Sequence, residues 1–112
     1  AAFKTNRLTE AVDYINTIRT RAAYPTGNAA TLQIAEADLS IDFILDERMR
    51  ELCGELVCWL DLVRTGKLIE RVKLHNPEAA GNIQDKHTLR PIPQAQIDAV
   101  VTGDPYPQNT GW

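Results

Sequence analysis

Apolar residues recur at three- and four-residue spacing through two stretches of the chain. In the first, Leu8, Ala11, Val12, Ile15, Ile18 and Ala22 line one side of a helix predicted near residues 6–23. Glu10 and Asp13 lie early in that helix and Arg19 and Arg21 late, the order that suits the helix dipole. Pro25-Thr26-Gly27-Asn28 ends it. The alanine-rich stretch from Ala29 to Leu39 carries no clear turn chemistry and reads as a long connection, until Asp38 or Ser40 can cap a new helix. The second stripe runs through Ile41, Ile44, Leu45, Leu52, Leu56, Trp59, Leu60 and Val63. Gly54 falls inside it as a kink or break, so two helices are predicted, near 41–53 and 56–65. Gly66 stands where a left-handed C-cap belongs, and Leu68, Ile69 and Val72 support one or two further turns.

Beyond Pro77 the pattern changes. Pro91, Pro93, Pro105 and Pro107, with Gly81, Gly103 and Gly111, leave room for short turns and a brief helix over Gln94 to Val101. The expected fold is therefore mainly α. A helical part covers residues 1–75, in which the first two long helices resemble a tetratricopeptide-like pair. An irregular Pro/Gly-rich tail covers 76–112.

At 112 residues the chain has the length of one domain with one modest core. A formal charge of -3 and a pI near 5.3, without a Lys/Arg cluster, argue against nucleic acid as a partner. No apolar run approaches the ~18 residues of a membrane span. The opening Ala1-Ala2-Phe3-Lys4 reads as the start of an excised piece or a processed product.

Cys53 and Cys58 stand at i and i+5. On a continuous helix this spacing would turn them ~140° apart, beyond the ~7 Å a disulfide tolerates, so two free thiols are expected. His75 and His87 lie far along the chain in loop-like sequence, which leaves no Cys/His ligand set, and neither a metal nor a cofactor is expected.

The acids Asp46, Glu47, Glu51 and Glu55 raise the question of glycoside hydrolysis, which needs one carboxyl group kept protonated. Arg50 stands at i+4 from Asp46 and i+3 from Glu47, and Arg48 precedes Glu51 by three, so cations are placed to keep these acids ionised. No nucleophile elbow or phosphate loop is present either, and no enzymatic activity is expected. Flat aromatic faces suit sugar rings. Tyr24, beside the Pro-Gly turn, and Tyr106 and Trp112 in the tail are therefore the candidate glycan contacts. Trp59, on the apolar stripe, reads instead as a packing anchor between helices.

A second pattern overlies the stripe: Glu47-Arg48, Glu51, Glu55, Trp59, Asp61 and Arg64-Thr65-Gly66-Lys67. Together with Tyr14-Ile15-Asn16, Ile18-Arg19-Thr20-Arg21-Ala22, Ile44-Leu45-Asp46-Glu47-Arg48, Val72-Lys73-Leu74-His75-Asn76-Pro77, Leu89-Arg90-Pro91-Ile92-Pro93 and Tyr106-Pro107-Gln108-Asn109, it resembles the C-terminal region of the SusD/RagB family. These are the cell-surface glycan-capture lipoproteins of Bacteroidetes, and the resemblance extends over nearly the whole chain. Three positions depart from the family pattern. Cys58 stands where arginine commonly precedes the tryptophan, Leu60 where a bulky aromatic often follows it, and Asn109-Thr110-Gly111-Trp112 replaces the usual Asn-Pro-Gly-aromatic ending.

The resemblance implies an oligosaccharide-binding lipoprotein of the outer membrane, exposed at the cell surface, that hands its cargo to a TonB-dependent transporter. It implies that Glu47, Arg48, Glu51, Glu55, Trp59, Asp61 and Arg64 are structural. Because whole family members are several times longer, the remainder of the parent lipoprotein is an expected partner, and an exposed apolar stripe would promote self-association. The alternative reading is a helical protein-interaction module with no glycan binding of its own.

Overall fold

A computed structural model describes residues 1–104 and 106–112. Pro105, one of the tail prolines, lies outside the described residues. The fold is mainly helical, with seven α-helices, three short 3-10 turns and no strand among the described residues. The chain divides into two compact units, 1–58 and 59–112.

The first unit is built on α1 (Leu8–Ala22), which buries Ala11 and Val12 and carries Glu10 in its first turn and Arg19 and Arg21 in its last. The chain leaves α1 through a tight reversal in which the Gly27 N–H donates to the Ala23 carbonyl at 2.7 Å. A Cβ at Gly27 would lie 2.7 Å from that oxygen, so only glycine fits the approach. The stretch read as a long connection holds a one-turn helix, α2 (Ala29–Leu32), and a 3-10 turn at Glu36–Asp38. Asn28 caps α2 by accepting from Ala30 N–H at 3.0 Å. Four residues are too few to show helical periodicity, which is why the pattern passes over this helix. The Asn16 side chain on α1 anchors the segment that leaves α2. Its carboxamide donates to the Ile34 carbonyl at 3.1 Å and accepts from the Ile34 N–H at 2.9 Å. The backbone of α1 thus packs on α2 and on the 3-10 turn.

Of the two proposed caps, Ser40 takes the role for α3 (Ile41–Glu51), accepting from Phe43 N–H at 3.0 Å. Leu45 is the most deeply buried residue of this helix, at 2 % exposure. Asp38 serves the preceding turn instead, accepting from Ala35 N–H at 2.9 Å.

The second apolar stripe does not continue as one face. After Leu52 the backbone turns left-handed at Gly54, φ 85°, and again at Leu56, φ 58°. Helical phase is lost there, and α4 begins afresh as Cys58–Thr65. Leu56, expected on the buried face, is 91 % exposed, and Leu60 is 58 % exposed. Leu62 is the buried apolar residue of α4, with Trp59 and Val63 half-buried.

In the second unit α4 ends as its glycine predicts. Gly66 adopts φ 72°, Gly66 N–H donates to Val63 O at 3.0 Å, and Lys67 N–H donates to Leu62 O at 2.8 Å, the paired bonds of a Schellman motif. Helix α5 (Leu68–His75) buries Leu68 and Arg71. Asn76 then caps α6 (Pro77–Ala80), which has proline in its first turn. A 3-10 turn at Asp85–Thr88 and α7 (Gln94–Asp98) complete the helical elements.

The irregular C-terminal third is tied down by side chains. Gln108 holds both backbone groups of Ile92, accepting at 2.8 Å and donating at 2.9 Å, and Asn109 Nδ2 donates to Arg90 O at 2.6 Å. Trp112 Nε1 donates to the carbonyls of Lys86 and Leu89, both at 3.1 Å. Irregular backbone lacks a ladder of its own, and these bonds satisfy part of it from outside.

Candidate functional site

The polar residues of the family-like pattern fall in both units. In the first, Glu47 on α3 receives Arg19 of α1 in a fork, Nε to Oε2 at 3.1 Å and Nη2 to Oε1 at 2.7 Å. Arg19 also donates through Nη1 to Leu32 O at 2.6 Å, and its guanidinium carbon lies 5.0 Å from the centroid of the Phe43 ring. One arginine thereby joins α1, the end of α2 and α3. Arg50 adds a second pair to Glu47 from the solvent side, and Arg21 pairs with Glu51.

The bonds from Arg19, helped by Arg50, hold the Glu47 carboxyl below the usual carboxylate range, although its partial burial pushes the other way. The bond to Glu47 likewise raises Arg19. These groups line a shallow cavity of about 340 Å³ floored by Ile18 and Leu32. Glu47 is bonded to Arg19 and Arg50 and Glu51 to Arg21, and an acid kept ionised, as Glu47 is, cannot donate the proton that glycoside cleavage requires. Arg48 is half-buried on α3, and Glu55 is exposed on the turn between α3 and α4. That turn also removes the continuous helix on which an arginine at position 58 would have faced Glu55.

In the second unit Asp61 is buried and its Oδ1 accepts from Arg64 Nε at 2.9 Å and Nη2 at 2.7 Å, one turn along α4. Trp59 is half-buried, and the guanidinium carbon of Arg90 lies 4.5 Å from its ring centroid. The residue sequence reasoning passed over is Arg90. It stands within the Leu89-Arg90-Pro91 run, but nothing local shows that it covers the tryptophan.

The three aromatic candidates occupy different surroundings. Tyr24 is 85 % exposed in the first unit, beside the cis Tyr24–Pro25 peptide. Tyr106, in the second unit, is 52 % exposed. Trp112 is engaged: Lys86 Nζ lies 4.8 Å from its ring centroid, and His87 meets it edge-on at 5.4 Å. His87 Nδ1 accepts from Gln84 N–H at 2.9 Å, which fixes the imidazole against the indole. No cluster of three metal-ligating side chains occurs among the described residues, and Cys53 and Cys58 are free thiols. No described helix is long and apolar enough to cross a membrane.

Comparison with known proteins gives a consistent result. The chain is 42% identical over 66 residues to the SusD-like protein P38 of Formosa agariphila, a match that covers 55% of this chain and 13% of that relative. No solved structure matches at a significant level. The sequence profile of the SusD family matches residues 1–112, the whole of the chain. On that match, the chain belongs to the SusD family.

Proposed function

We propose that this chain serves oligosaccharide capture for nutrient uptake at the bacterial outer membrane, as part of a surface lipoprotein that delivers glycans to a TonB-dependent transporter. The observation that carries this reading is the family match over residues 1–112. The chain acts by binding. Glu47 and Glu51 are tied to arginines and Glu47 is held ionised, which does not suit either to the role of proton donor. Tyr24, Tyr106 and Trp112 are the aromatic faces offered to sugar, with Tyr24 the most open. Calorimetric titration of the chain, and of the longer parent, against a panel of oligosaccharides tests this reading. Saturable binding without release of reducing ends is the expected result. Glycosidic turnover abolished by Glu51→Gln or Glu55→Gln, or no binding to any glycan by either protein, would overturn it.

A second reading is favoured by one observation, the exposure of large apolar side chains at Leu56, Leu60 and Leu74. In that reading the helices bind the remainder of the parent lipoprotein, or one another, through apolar contacts. Sedimentation at several concentrations separates the two. Mass that rises with concentration supports the interaction module, and a thermally robust monomer at every concentration that binds no apolar dye removes the motive for it.

A further inference from the structure

Two cavities flank α1 in the first unit, and they differ in how much hydrogen-bonding capacity is left over. In the one beside Glu47, Arg19 and Arg50 are bonded to Glu47, and Glu51 to Arg21. The other, of about 530 Å³, is lined by Asp13, Asn16, Thr17, Thr20 and Gln33. It is an open groove, in which Asp13, Thr17, Thr20 and Gln33 are exposed and Asn16 is half-buried.

Asp13, Asn16, Thr17 and Thr20 stand at i, i+3, i+4 and i+7, one face of α1, and so present polar groups at roughly 5–6 Å intervals along a line. Gln33, the C-cap of α2, forms the facing wall. That wall is held rigidly, because Asn16 grips both backbone groups of the next residue, Ile34. Asn16 has one donor and one acceptor position engaged in this way, and Thr17 donates its hydroxyl proton to Asp13 O at 2.8 Å while keeping lone pairs to accept with. The side chains of Asp13, Thr20 and Gln33 make no hydrogen bond or ion pair among the described residues.

The side chains with no partner are a carboxylate that only accepts, a hydroxyl that does both, and a carboxamide with two donors and an acceptor. Such a set suits ligand groups that themselves donate and accept, namely hydroxyls. No lysine or arginine lines the cavity to neutralise a phosphate, sulfate or uronate, and no large apolar side chain lines it to hold a lipid. A single carboxylate with neutral oxygens around it falls short of a cation site.

We propose that this groove is a subsite for a neutral oligosaccharide, with Asp13, Thr20 and Gln33 as its hydroxyl-binding residues. The inference rests on the glycan-binding reading and adds to it a place in the first unit, away from the tail aromatics, and a ligand class. Free acceptors and donors on a preformed wall bind sugar hydroxyls without first breaking bonds within the protein, which limits the cost of ordering.

The test is calorimetric titration of the full chain with maltoheptaose, cellohexaose and xylohexaose, and with oligogalacturonate as the acidic comparison. At least one neutral probe should bind, and oligogalacturonate should bind more weakly because it meets the Asp13 carboxylate. Asp13→Ala, Thr20→Val and Gln33→Ala should each weaken the neutral probe ~5- to 10-fold while the melting curve stays that of the parent, since each removes a side chain with no internal partner. Two variants that bind like the parent would overturn the subsite and leave the glycan-binding reading standing. A parent chain that binds none of the probes would overturn both. Preference for oligogalacturonate would overturn the assignment of a neutral ligand.

Discussion

Arg19 and Glu47, on helices α1 and α3, meet fork to fork, with the two nitrogens of one edge of the guanidinium on the two oxygens of the carboxylate at 3.1 and 2.7 Å. Both side chains are largely buried, at 22 % and 14 % exposure. Charge-assisted bonds of this geometry are stronger than ordinary ones, and losing one partner strands the other. Arg19→Ala should therefore cost ~2 kcal/mol, read from urea unfolding, and Arg19→Lys should recover only part of it because an ammonium cannot make the fork. Loss of under ~0.5 kcal/mol would reduce the pair to a surface contact.

The same pair sets a pH dependence. Glu47 titrates lower in the folded chain than the ~4.3 of an unfolded glutamate, so its contribution is fully present above that value and disappears as pH falls through the folded pKa. The stability difference between the parent and Glu47→Gln should be constant near neutrality and shrink below about pH 4. A difference that grows on acidification would reverse the assignment.

Trp59 is half-buried, with Arg90 over its face. Trp59→Ala should lower stability by ~2–3 kcal/mol, toward the low end for a large-to-small change because part of the ring is already exposed. Arg90→Ala should cost ~0.5–1 kcal/mol, and the two losses should not add in a double variant. A Trp59→Ala chain that melts like the parent but loses sugar affinity would move this residue from packing to binding.

Leu56 combines a left-handed backbone with a side chain almost wholly in water. Asparagine tolerates that conformation far better than leucine, and no packing is lost by the exchange. Leu56→Asn should raise stability by ~0.5–1 kcal/mol in thermal or chemical unfolding. A destabilised variant would show that the Leu56 side chain has a partner in solution, which favours the interaction-module reading.

Gly111 has φ 91°, and a Cβ there would lie 2.9 Å from Lys86 Cβ. Gly111→Ala should loosen the Trp112 tether, seen as a red-shifted indole emission with ~1 kcal/mol or more lost from the second unit. Unchanged emission would mean that the bonds from Trp112 to Lys86 and Leu89 hold the tail without the turn.

Periodicity within one helix is a local property, and by itself it determined that α1, α3 and α4 exist, where they lie, and that the fold is mainly helical. Caps are equally local: Ser40 and Gly66 act within a few residues of themselves and were legible for that reason. The family-like series was legible because it is a pattern of order and spacing. Tertiary structure decided the rest. The turn at Gly54 and Leu56 resets the helical phase, so the apolar series through Leu56 and Leu60 no longer marks one buried face, and which residues of α4 are buried depends on the path the chain takes there. Arg19 with Glu47, Arg90 with Trp59 and Asn16 with Ile34 join residues far apart in the chain, and no local rule specifies such partners. The unspent polar groups at Asp13, Thr20 and Gln33 are visible only once every other bond has been formed.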